Sequence, residues 1–131
     1  MIVVDASVLA NVVGDDGADG HRARLEVRAA RDLAAPDLVD VETMAVLRKR
    51  WIAGSMTERR FAAAVEDLGA LEVDRYPALR FLQRVFELRA NVTAYDAVYV
   101  ALAEALGCEL WTADRRLASA RGTACAFRVL K

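Results

Sequence analysis

What this sequence lacks narrows its chemistry first. It has one histidine, His21, and two cysteines, Cys108 and Cys125, in 131 residues. His21 has neither a Ser nucleophile nor a metal-binding partner near it in sequence, so triad hydrolysis has no support. The cysteines fall in strand-like runs and read as buried free thiols of a reducing cytosol. No apolar run approaches the roughly 20 residues that a bilayer crossing needs. The longest in a helical pattern, Ala97 to Ala103, stops at Glu104. Asp5 comes too early for a secretory signal, so a cytoplasmic location is expected. With a net charge of -1 there is no overall basic footprint, and any nucleic acid would have to be gripped locally.

Hydrophobic residues make up 56% of the chain, much of it Ala, which fits a well-filled globule of closely packed helices. At 131 residues without a break in composition, residues 1–131 read as one domain. Ile2 to Asp5 has the pattern of a buried strand, and Ser7 to Val13 of a helix ended by the glycine-rich segment Gly14 to Gly20. A polar helix follows from His21 to Arg31, then a strand at Leu33 to Pro36 and a helix from Leu38 to Ala53. Thr57 caps a helix reaching Leu68, Leu71 to Val73 reads as a third strand, and Pro77 starts a helix through Leu88.

From Ala97 to Leu106 the only charge is Glu104, so that helix must be covered on nearly all sides. CELWT, DRRLASA and CAFRVL complete the chain as strand, short helix and strand. Strands alternating with helices predict an α/β protein: a three-layer α/β/α sandwich on a mainly parallel sheet.

Ligands of such sheets bind beyond the carboxyl ends of the strands, and acids gather there. Asp5 ends the first strand, Glu42 lies one turn into the helix after the second, Asp96 begins the buried helix, and Asp114 follows the fourth strand. Helix capping is a competing role for Asp5 and Asp114, and Thr93 with Asp96 has the spacing of a capping box. Glu42 is expected to project from an apolar stripe with Leu38, Val41 and Ala45. Neither Glu42 nor Asp96 has a Lys or Arg at helical spacing. Two like charges about 4 Å apart at an effective dielectric near 20 repel by roughly 4 kcal/mol. A converging cluster therefore requires a hard cation, Mg²⁺ or Mn²⁺, one ion or two. Ser7 and Thr93 supply hydroxyls that can orient those carboxylates or hold metal-bound water.

These residues resemble a known family. D-A-S at Asp5 to Ser7, Glu42 within its helix, T-A-Y-D-A at Thr93 to Ala97 and T-A-D at Thr112 to Asp114 are similar, in order and spacing, to the PIN domain and its VapC-type toxins. The resemblance implies a metal-dependent endoribonuclease whose acidic quartet is Asp5, Glu42, Asp96 and Asp114, with Ser7 and Thr112 matching the polar residues that accompany it. It also implies a small antitoxin partner and a toxin homodimer. Some members carry one more acid after the last Asp; this chain has Arg115, Arg116 and Leu117 there. Arg115 and Arg116 are candidates to hold the RNA backbone, set against the ordinary role of solvated surface cations. The other arginine clusters read as solvated helix faces.

Three other readings stand beside this one. The run from Asp15 to Glu26 places acids at calcium-loop positions, but Gly17 occupies a ligand position, and a flexible loop near the site entrance fits better. Asp5 could be the nucleophile of an aspartyl-phosphate phosphatase, although Ser7 stands where such enzymes carry a second Asp. A PIN-like scaffold that binds without cutting is the third, with Trp51, Ile52 and Phe61 offering either a dimer or antitoxin surface or plain core.

Overall fold

The computed structural model describes residues 1–130. Five strands form one parallel sheet in the order β3-β2-β1-β4-β5, with β1 at Ile2–Val4, β2 at Leu33–Pro36, β3 at Asp74–Tyr76, β4 at Leu110–Thr112 and β5 at Phe127–Val129. The chain steps outward from β1 to β3, then returns to the far side of β1 for β4. Val3 therefore pairs with Leu33's strand on one side and with Leu110 on the other. That reversal makes the β1/β4 seam the topological switch point, where open α/β sheets bind ligands.

Helices α1 (Ala6–Gly14), α2 (Ala18–Ala30), α3 (Val39–Ile52) and α4 (Glu58–Ala70) pack on one another. On the other side α5 (Leu82–Glu87) packs on α6 (Ala94–Leu106), and α7 (Arg115–Ala118) links β4 to β5. Right-handed crossovers place the two groups on opposite faces, giving three layers. β1 and β2 are buried at every position, as strands covered on both faces must be. Ala97 to Ala103 are all buried, as the lack of charge in this stretch predicts.

The third strand lies at Asp74–Tyr76 rather than Leu71 to Val73. Helix α4 runs on to Ala70, and β2 takes Asp74 opposite Ala34 and Tyr76 opposite Pro36. As an edge strand, β3 needs no unbroken apolar run, while Leu71 and Val73 pack on the core from the connection before it. The helix expected from Pro77 is a 3₁₀ turn at Ala78–Phe81 followed by α5. Helix α2 begins at Ala18, three residues early, so the glycine-rich segment is a tight joint rather than a flexible loop. Asp15 Oδ1 accepts from Gly17 N at 2.7 Å, and a Cβ on Gly20 would fall 1.9 Å from the Asp15 carbonyl oxygen. Asp16 is bound to Arg60. No calcium loop is formed.

Three arginines read as solvated are in fact spent on α1. A helix leaves its last carbonyls without intrahelical donors. Arg24 donates to the Val12 and Asp15 carbonyls, Arg50 to Ala10 and to Asn11 Oδ1, and Arg60 to Val13. These bonds tie α2, α3 and α4 to the far end of the helix whose first turn carries Asp5. Cys108 and Cys125 lie just ahead of β4 and β5, half-buried rather than buried, and both are free. Burial pushes the Cys108 thiol up and the Cys125 thiol up to about 11. Among the described residues, no helix is long and apolar enough to cross a membrane.

Candidate active site

Asp5 ends β1 and caps α1. Its Oδ1 accepts from Val8 N at 3.1 Å and from the Ser7 hydroxyl at 2.5 Å. Ser7 Oγ also accepts from Ala113 N at 2.9 Å, and Thr112 Oγ1 accepts from Asp114 N at 3.0 Å. These hydroxyls thereby lace the carboxyl end of β1 to that of β4. Asp5 is only 7% exposed, and desolvation raises its pKa against the bonds from Ser7, Thr112 and Val8. Asp114 N-caps α7, accepting from Arg116 N at 2.8 Å. Capping is thus a real role for both aspartates and accounts for only part of each carboxylate's accepting capacity.

Thr93 caps α6, accepting from Asp96 N at 3.2 Å, and so sets Asp96 in the first turn. Burial raises the Asp96 pKa, with a further contribution from the charge of Asp114. Glu42 sits differently from expectation. The inward face of α3 is Val39, Thr43 and Leu47, while Val41 is 74% exposed and Ala45 is exposed too. Val41 and Ala45 scored as core by hydropathy alone, yet the face turned inward is that of Thr43, on a helix packed against α1 and α4. Glu42 lies half-buried at the edge of that face and accepts at Oε1 from the Tyr99 hydroxyl at 2.7 Å. Its pKa is raised by burial, then by the charges of Asp96 and Asp5.

All four carboxylates line one cavity of about 440 Å³, with Ser7, Tyr99, Ala45, Val46, Arg48 and Lys49 among its other walls. Asp96 is the electrostatic hub, acting on Asp5 and Glu42 and acted on by Asp114. The ion pairs of the described residues engage Asp16, Asp40, Glu87, Glu104 and Glu26, and none of these four acids. A second cavity, about 370 Å³, shares Asp96 and Asp114 as walls and adds Asn91, Thr93 and Arg116. Arg115 lines neither cavity. A larger cavity, about 540 Å³, lies around Arg50 and Arg60, but its guanidinium groups are committed to α1 and it contains none of the four acids.

The donors are carboxylates without imidazole or thiol, a set that suits a hard divalent cation. The fit is in donor type rather than in spacing: among the described residues, no three His, Cys, Asp or Glu side chains stand close enough together to hold a metal ion as they are placed. Glu42 is drawn toward Tyr99, and Asp5 toward Ser7 and Val8.

Tyr99, Arg48 and Lys49 are the lining residues that sequence reasoning passed over. Tyr99 follows Asp96 by one helical step of three on an otherwise apolar helix, and that spacing was the available signal. Trp51 and Ile52 are exposed at 43% and 60%, and Phe61 is half-buried with its ring 6.3 Å from that of Trp51. None of these three lines the acid cavity.

A doubly wound α/β protein with an acid-lined cavity at its switch point is the class this geometry defines. The chain belongs to the PIN domain family, whose sequence profile matches residues 2–122. It is 43% identical to "VapC ribonuclease Mb0985" of Mycobacterium bovis over 99% of this chain and 98% of that protein. It is 36% identical to "Ribonuclease VapC1" of Mycobacterium tuberculosis over 98% and 97%. Among solved structures, PAE2754 from Pyrobaculum aerophilum superposes with a TM-score of 0.65 at 26% identity, covering 96% of this chain and 81% of that one. Family membership displaces the phosphatase reading of Asp5.

Proposed function

We propose that residues 1–131 form one nuclease domain, the endoribonuclease toxin of a toxin–antitoxin pair. In this reading RNA is the substrate, a small antitoxin blocks the groove, and two copies of the chain associate. The observation that carries it is the convergence of Asp5, Glu42, Asp96 and Asp114 on one cavity without an ion-paired cation, in a chain whose relatives are named ribonucleases.

Asp5, Asp96 and Asp114 would hold Mg²⁺ or Mn²⁺, with Glu42 beside them. When bound, such an ion lowers the pKa of water and offsets charge on a phosphodiester oxygen. The chain's own residues supply the rest. Ser7 and Val8 N hold Oδ1 of Asp5, and Thr112 adds a further hydrogen bond, so the carboxylate is fixed in the cavity wall. Tyr99 occupies Oε1 of Glu42, so Oε2 is the atom that can take a proton from an attacking water. The raised pKa of Glu42 favours that transfer. Tyr99 itself stays protonated, since burial and the Glu42 hydrogen bond raise its pKa well above the ordinary phenol value.

The test is incubation of the purified protein with mixed RNA and Mg²⁺ or Mn²⁺, with and without chelator. Cleavage should vanish with chelator and in Asp5→Asn and Asp96→Asn. Cleavage that survives either condition overturns the reading, and a wild type that never cuts yet holds a partner would make this a binding scaffold.

A further inference from the structure

The two cavities that share Asp96 and Asp114 have different cations in their walls. Arg48 and Lys49, on the outer face of α3, line only the first; Arg116, on α7, lines only the second. None of the three side chains has an ion pair or hydrogen-bond partner among the described residues. That sets them apart from Arg24, Arg50, Arg60, Arg75, Arg84 and Arg128, which are committed to carbonyls or carboxylates. Exposed, unspent cations flanking a row of carboxylates match a polyanion whose central phosphate is handled by the acids and whose neighbouring phosphates are held by the cations.

We propose that single-stranded RNA crosses the molecule between Asp96 and Asp114, with Arg48 and Lys49 gripping the backbone on one side of the cut and Arg116 gripping it on the other. This rests on the nuclease reading above. The two ends also differ in chemistry. Ala45 and Val46 give the α3 end an apolar wall suited to the face of an unpaired base. At the α7 end Asn91 offers an amide to a base edge. Of the two arginines singled out by sequence, the structure assigns this role to Arg116. An acidic peptide would meet the same cations but would have no use for the carboxylates between them.

The cut site of the wild type is first mapped on a labelled single-stranded RNA of mixed sequence. Arg48→Ala/Lys49→Ala, Arg116→Ala and the remote control Arg59→Ala are then compared on that RNA and on versions trimmed on either side of the cut. The double variant and Arg116→Ala should each raise KM several-fold with kcat largely kept, while the control matches wild type. Each single-strand phosphate contact contributes about 0.7 to the slope of log affinity against log salt, so the double variant should lose about 1.4 and Arg116→Ala about 0.7. Trimming one side should erase the defect of the double variant only, and trimming the other that of Arg116→Ala only. Defects that vanish with the same trimmed end, or a control that falls equally, overturn the two-sided grip while leaving the nuclease intact. A wild type that neither binds nor cuts any RNA overturns both.

Discussion

The Tyr99 hydroxyl donates to Glu42 Oε1 across 2.7 Å, joining α6 to α3 at the acid cavity. The pair lies 57 residues apart in the chain, and it engages one of the two oxygens of Glu42. Tyr99→Phe should therefore lower RNA cleavage by about 10- to 100-fold, the range typical when an orienting partner is lost. The same change should cost only about 1 kcal/mol of stability, because the ring stays packed and one hydrogen bond is lost. Single-turnover cleavage beside a denaturant titration checks both figures.

Asp5 is held at some cost to the fold. Its carboxyl pKa is raised on folding, chiefly by burial. The folded state then binds the proton more tightly than the unfolded one, so stability falls as pH rises from the unfolded value of 3.8 through the higher folded value. At neutral pH the full penalty is present. Asp5→Asn retains an oxygen for Val8 N and Ser7, and should abolish cleavage while raising the melting temperature. Mg²⁺ or Mn²⁺ should raise the melting temperature of the wild type more than that of the variant. A variant that melts lower than wild type in the absence of metal would contradict this.

Glu104, the only charge on the buried stretch of α6, is answered by Arg84 of α5. Arg84 Nε and Nη2 reach its two oxygens at 2.7 and 3.0 Å, and Ala124 N donates at 2.6 Å. Arg84 also donates to the Gly122 carbonyl, so the pair pins the connection before β5. Glu104→Gln should cost about 1.5–3 kcal/mol, as for hydrogen bonds to charged groups. The Arg84 guanidinium lowers the Glu104 pKa below 4.5. Its contribution is present above the unfolded value and lost as pH falls through the lower folded one. The wild-type advantage over Glu104→Gln should accordingly shrink on acidification, which urea titrations at several pH values would reveal.

Thr43 presents the opposite situation. It is fully buried on the inward face of α3, and its hydroxyl has no hydrogen-bond partner among the described residues. Burying an unpaired hydroxyl costs about 1–3 kcal/mol by mutational measures. Thr43→Val has nearly the same shape, and should be neutral or stabilising by up to about that amount with cleavage unchanged. A loss of stability in thermal melts would show that the hydroxyl has a partner.

Much of this was legible in the order of residues. Apolar Ile2 to Val4 meeting Asp5, and Leu110 to Thr112 followed by Asp114, mark strand ends with acids because a βα junction is local. Thr93 and Asp96 show their capping relationship at a separation of three. Other features carried no such mark. Hydropathy put Val41 and Ala45 inside, where the structure has Val39, Thr43 and Leu47, since more than one face of α3 carries apolar residues and only packing chooses among them. Arg24, Arg50 and Arg60 resembled surface cations because their carbonyl partners belong to another helix. The shift of β3 to Asp74–Tyr76 came from its pairing with β2 at an edge.

The sequence by itself determined most of the strands and helices, though not the position of β3, and that each of four elements presents an acid near its start or end, because hydrophobic periodicity and capping act over a few residues. Only the tertiary structure decided that β4 returns beside β1, that Ser7 reaches Ala113 across 106 residues, and that Tyr99 meets Glu42. It also decided which arginines are consumed by α1 and which line the acid cavities. The physical reason is that these contacts are chosen by sheet order and close packing, which join residues whose local sequences contain no reference to one another.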